Sequence, residues 1–96
     1  MSNLIVQKYG GTSLANTERF QAVADIIVAS IGSGDNVAVV VSAMAGETQR
    51  LIDLAKEIQP EPDPREFDAL VSSGEQVSAA LLAIALKKRN YLSKSY

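Results

Sequence analysis

The chain has 96 residues, 47% of them hydrophobic, with nine Lys and Arg against eleven Asp and Glu, no cysteine and no histidine, the composition of one globular domain near the lower end of the usual size range. A net charge of -2 supplies no broad cationic field for nucleic acid, and the missing cysteine and histidine exclude a disulfide framework, thiolate chemistry and the commonest general base and metal ligand. The N-terminus lacks a signal-peptide pattern and no apolar run approaches the ~20 residues that span a bilayer, so no membrane partner is expected and the chain reads as cytoplasmic.

In chain order, Leu4-Ile5-Val6 opens a strand over about residues 3–8, ended by the pair Gly10-Gly11. From Thr17 to Ile31, Phe20, Val23, Ala24, Ile27 and Ile31 recur at three- and four-residue spacing and predict a helix, stopped by Gly32-Ser33-Gly34. The run Val37-Ala38-Val39-Val40-Val41 is β-branched without alternation, as expected for a parallel strand covered on both faces. Leu51, Leu54, Ala55 and Ile58 carry the helical period again until Pro60, Pro62 and Pro64 break it. Ser73 with Gln76 matches a capping box and predicts a helix starting there, with Val77, Ala80, Leu81 and Ile84 on its buried face and Lys87-Lys88-Arg89 at its end. Asn90 suits a left-handed closing residue, and Tyr91-Leu92 reads as the opening of another strand. The pattern is α/β, with fewer strands than a usual sheet holds, so the chain reads as part of a larger domain.

Three segments carry polar chemistry. Lys8-Tyr9-Gly10-Gly11-Thr12-Ser13 lies between a strand end and a helix, where α/β proteins place ligands. Its glycines let backbone N–H groups approach a phosphate, and Lys8 adds a full charge. The same pattern also suits a tight strand-to-helix turn with Lys8 as a solvated edge charge. Ser42-Ala43-Met44-Ala45-Gly46-Glu47-Thr48 follows the second strand; its hydroxyls suit a carboxylate or ammonium ligand, or equally a helix cap. Ser72-Ser73-Gly74-Glu75 places Glu75 in a helix's first turn, where the dipole favours a carboxylate and an ammonium ligand would also be held. The basic cluster near Arg89 reads as a solvated helix end rather than a nucleic-acid surface.

Taken together, Val6 to Ser13, Val40-Val41-Ser42-Ala43-Met44 with Gly46 and Thr48, and Phe67 to Glu75 resemble the N-terminal part of aspartokinases. The resemblance runs over essentially the whole chain and implies the N-terminal part (1–96) of an amino-acid kinase domain. It implies an α/β fold, a partial three-layer αβα sandwich with a mainly parallel sheet, without the regulatory ACT domains found further on in the family. It also implies transfer of the ATP γ-phosphoryl group to the β-carboxylate of L-aspartate, the entry step to lysine, threonine and methionine, with Mg2+ bridging the phosphates and no protein metal site. By motif, Lys8 would be the catalytic charge; Lys8, Tyr9, Gly10, Gly11, Thr12 and Ser13 would hold ATP phosphates; Ser42, Thr48 and Glu75 would hold aspartate. The full-length protein would form homo- or hetero-oligomers, and these 96 residues alone would be inactive. Another kinase of the superfamily, acting on glutamate, acetylglutamate or uridylate, and a noncatalytic α/β module are the alternatives.

Overall fold

Two six-residue runs rich in β-branched side chains, Leu4–Tyr9 (β1) and Asn36–Val41 (β2), pair in parallel, with Leu4 opposite Asn36 and Tyr9 opposite Val41. The structure, a computed structural model, describes residues 4–91. Because side chains alternate along a strand, this register puts Ile5, Gln7 and Tyr9 beside Val37, Val39 and Val41 on one face, and Leu4, Val6 and Lys8 beside Asn36, Ala38 and Val40 on the other. Helices α1 (Thr17–Gly32) and α3 (Pro64–Lys88) cover the first face only. Leu14, Phe20, Val23, Ala24 and Ile27 meet Leu82, Ala85 and Leu86 there, with Val37, Val39 and Val41 packed against them. Leu4, Val6 and Val40 remain 69%, 65% and 51% exposed. Cover on both faces of β2 is therefore not what the described residues provide; an unbroken valine run conceals alternation because every position is apolar whichever way it points.

Local chemistry sets the helix ends. Asn16 Oδ1 accepts the Arg19 backbone N–H at 3.0 Å to start α1, and Gly34, at φ 92°, turns the chain out of it. Helix α2 (Glu47–Ile58) starts after Gly46, at φ 80°, with no side-chain cap, so neither Ser42 nor Thr48 is used as one. Asp63 caps α3 by accepting from the Glu66 N–H at 3.1 Å, with Pro64 at the first position, where a missing N–H costs nothing. At the other end Asn90 is left-handed, φ 65°, and the Tyr91 and Asn90 N–H groups reach back to Leu86 and Lys87 carbonyls, a Schellman closure. Tyr91 is not in a strand, and the rest of the strand expected there lies outside the described residues.

The largest correction concerns α3, one helix of 25 residues rather than one starting at Ser73. Ser72 and Ser73 hydroxyls donate back to the carbonyls of Ala69 and Leu70, which satisfies them inside the helix instead of capping a new one. The buried positions are Gly74, Ser78, Leu82, Ala85 and Leu86, whereas Val77 and Ile84 are exposed. The helix also holds an 18-residue stretch of mean hydropathy 1.5, so by length and composition one segment is apolar enough to span a bilayer. It packs on α1, α2 and β2, with 28% of that stretch buried.

Arg89 is not a solvated helix end. Its guanidinium donates to Asp25 Oδ1 at 2.8 Å, to the Ala85 carbonyl at 2.9 Å and to the Gln21 carbonyl at 3.3 Å, and so clasps α3 to α1.

Candidate functional site

The carboxyl ends of β1 and β2 point the same way because the strands are parallel, and the loops leaving them become neighbours. After Tyr9 the chain is extended at Gly10 and then forms a single 3-10 turn, Gly11–Leu14, closed by the Ser13 N–H on the Gly10 carbonyl at 3.1 Å. Leu14 is wholly buried and anchors this turn in the core. Among the described residues, the N–H groups of Gly10, Gly11 and Thr12 have no hydrogen-bond partner, which leaves donors available at a strand end. The second loop is tied to the first by the Ser42 N–H, which donates to the Tyr9 carbonyl at 3.0 Å.

Small residues then bring three separate segments together. A Cβ on Gly11 would stand 3.5 Å from Ala45 Cα and 3.8 Å from the Ala43 carbonyl oxygen. A Cβ on Gly74 would stand 2.9 Å from Ala43 Cβ and 3.5 Å from Glu47 Cγ. Buried Ala43 thus lies between the glycine loop and α3, and the three motifs read from sequence meet at it.

The predicted site residues are distributed around this junction. Lys8 is exposed on the sheet face away from α1 and forms no ion pair among the described residues. Tyr9 points to the opposite face, where its hydroxyl donates to Gln7 Oε1 at 2.8 Å, and burial pushes its pKa up. Thr12 and Ser13 are exposed and, with Tyr9, Arg19, Val23 and Ile26, line an open cavity of about 200 Å³ beside the start of α1. Lys8 is not part of that lining. Ser42 is half-buried and Thr48 exposed in the first turn of α2. Glu75 is exposed in the middle of α3, not in a first turn, so the helix-dipole account of it does not hold.

Sequence reasoning missed several neighbours. Arg50 donates to Glu47 at 2.7 and 3.0 Å and, chiefly by that hydrogen bonding, holds the Glu47 carboxyl below the usual carboxylate range. Arg19 supplies the cation in the cavity lining. Ala43 and Gly74 carry no functional group, and only the glycine's position in a helix hinted at a close approach.

A glycine-rich loop is thus held by a second strand-end loop and a helix, and the chain has known relatives. A model of the amino acid kinase family matches residues 3–96, and the chain belongs to that family. It is 57% identical to an aspartate kinase of Stutzerimonas stutzeri over 93 residues, covering 97% of this chain and 23% of that protein. It is 49% identical to an aspartokinase of Geobacillus stearothermophilus over 92 residues, again 23% of the relative. The chain therefore spans about a quarter of the length of the curated relatives it matches. Among solved structures, the aspartate kinase from Synechocystis superposes with a TM-score of 0.88 at 53% identity, covering 91% of this chain and 15% of that one. E. coli aspartokinase III, solved in complex with aspartate and ADP, superposes with a TM-score of 0.74 at 26% identity, covering 93% and 30%.

Proposed function

We propose that this chain is the phosphate-loop segment of an aspartokinase, an enzyme that moves the γ-phosphoryl group of ATP to the β-carboxylate of L-aspartate to give 4-phospho-L-aspartate. The observation that carries this reading is the meeting of the glycine loop, the Ser42–Thr48 loop and the Gly74-Glu75 helix segment at Ala43. The relatives named aspartate kinase and the structure holding aspartate and ADP support the same substrates.

The residues suit the chemistry. A substrate carboxylate, with an ordinary pKa of ~3.9, is ionised at neutral pH, so it attacks phosphorus without a general base, and the absence of histidine from these 96 residues does not stand against the step. ATP supplies the phosphoryl group, and its use as donor fits a cytoplasmic reaction. As the transition state spreads charge over the equatorial oxygens, the unpartnered N–H groups of Gly10, Gly11 and Thr12 donate to them and Lys8 contributes its positive charge. Ser13 extends the phosphate side of the loop, and Ser42, Thr48 and Glu75 hold aspartate, with Glu75 meeting its α-ammonium. No cluster of three or more acidic side chains able to ligate a metal occurs among the described residues. Magnesium bound with the nucleotide would supply further positive charge to the phosphates.

The test is to trap the acyl phosphate as its hydroxamate with the whole protein that contains this segment, offering aspartate and glutamate. Aspartate is expected to be the acceptor, and Lys8→Ala is expected to lower kcat by at least about a hundredfold, the scale of removing one preorganised charge. Preference for glutamate would make the protein another kinase of the family, and retained turnover in Lys8→Ala would remove the role given to that lysine. A polypeptide of these 96 residues alone is expected to give no hydroxamate.

A further inference from the structure

Gly74 stands in the interior of a 25-residue helix without a left-handed φ, so no backbone conformation calls for glycine there. Glycine is the poorest ordinary helix former, and its presence at a buried position needs a packing reason. That reason is Ala43: a Cβ on Gly74 would lie 2.9 Å from Ala43 Cβ, whereas carbon atoms settle at about 3.5–4.0 Å. We infer that Gly74 is a positioning residue for the glycine loop, acting through Ala43.

The softer side of this contact is the loop. Helix α3 is capped at both ends and buries Ser78, Leu82, Ala85 and Leu86. Ala43 instead sits in the short connection between β2 and α2, held by the Ser42 N–H on the Tyr9 carbonyl and the Glu47 N–H on the Met44 carbonyl. Its far side abuts the glycine loop, since the space where a Gly11 side chain would stand is 3.8 Å from the Ala43 oxygen and 3.5 Å from Ala45 Cα. A side chain added at position 74 therefore displaces Ala43 and carries the displacement to Gly11, whose N–H is one of the unpartnered donors. The contact rests on geometry alone; its kinetic consequence rests on the proposed kinase reading.

The experiment compares Gly74→Ala, Ala43→Gly and the double variant in the whole protein, by hydroxamate kinetics and by the Gly11 amide resonance. Gly74→Ala is expected to shift that resonance and to lower kcat by about ten- to a hundredfold, as misplacement by ~1 Å does. The double variant, with the methyl group of Ala43 removed, is expected to recover most of kcat and to return the resonance towards its original position. A Gly74→Ala protein that melts earlier but keeps kcat and the Gly11 resonance would overturn the inference, as would a double variant no better than the single one. If Gly74→Ala does not fold, Ala43→Gly in that background must restore folding and the Gly11 resonance, and failure to do so also overturns it. A wild-type protein without turnover refutes the kinase reading, and the Gly11 resonance then still decides the positioning role.

Discussion

Leu14 joins the candidate phosphate loop to the core, and its truncation has a magnitude that can be worked out. The side chain is fully buried, the last residue of the 3-10 turn, and packs in the cluster with Phe20, Val23, Ala24 and Ile27. Leu14→Ala removes its transfer free energy and leaves a cavity, together about 3–4 kcal/mol for a buried leucine. With a urea m-value of about 2 kcal/mol/M, the midpoint should fall by about 1.5–2 M with m unchanged. Leu14→Met, which nearly conserves volume, should cost less than about 1.5 kcal/mol. Urea unfolding of the three proteins checks both numbers. A Leu14→Ala loss below about 1 kcal/mol would show that the turn is not anchored by this side chain, and that the loop's position is set elsewhere.

Two further outcomes follow from particular contacts. Arg89 makes two hydrogen bonds to carbonyls besides its ion pair, and the Asp25 side chain is 70% exposed. Arg89→Ala should therefore cost about 1–2 kcal/mol through lost carbonyl bonds and stem packing, while Asp25→Ala should cost under about 0.5 kcal/mol, as exposed pairs do. Equal losses in urea unfolding would refute that division. Tyr9, whose phenol is raised above its ordinary value by burial, is neutral when folded and resists ionisation more than in the unfolded chain. Its contribution is thus fully present below the unfolded value of about 10 and is lost as pH rises through the folded one. Tyr9→Phe should flatten the alkaline fall in the urea midpoint above about pH 10, and an unchanged slope there would count against the assignment.

The β-α-β start was legible because its signals are local. Phe20, Val23, Ala24 and Ile27 fall on one helical face, Gly34 supplies the left-handed exit, and Asn90 closes α3 as expected. The reading of Ser72-Ser73-Gly74 failed because two mechanisms compete for the same residues: a serine hydroxyl that caps a new helix looks, in sequence, like one that bonds back three residues along an existing helix. Nor can sequence distinguish a glycine that breaks a helix from one that admits Ala43. With the helix starting at Pro64, Glu75 stands mid-helix rather than in a first turn, and the packed face runs through Gly74, Ser78, Leu82 and Ala85, where small and polar residues hide it from a reading of apolar periodicity. Arg89 was misread for a similar reason. Two of its three acceptors, Asp25 and the Gln21 carbonyl, lie 64 and 68 positions away along the chain, and no local pattern encodes them.

The two faces of the sheet bear differently on the proposed site. Tyr9, Gln7 and the three inward valines face the helical layer, where Gln7 donates to Ser30 on α1 at 2.9 Å and the valines pack against the core. Lys8 stands on the other face with Leu4, Val6 and Val40 as neighbours in register, all exposed. Apolar strand residues left open to water in this way are uncommon in a finished sheet, whose faces are normally packed or lined with polar side chains. On the proposed kinase reading, a layer that covers Leu4, Val6 and Val40 would also approach Lys8 and exclude water around it, which strengthens the field of its charge on a phosphoryl group. On that reading the glycine loop with its free N–H groups and the lysine beside it would be the part of the site this segment builds, and their catalytic strength would depend on what covers the opposite face.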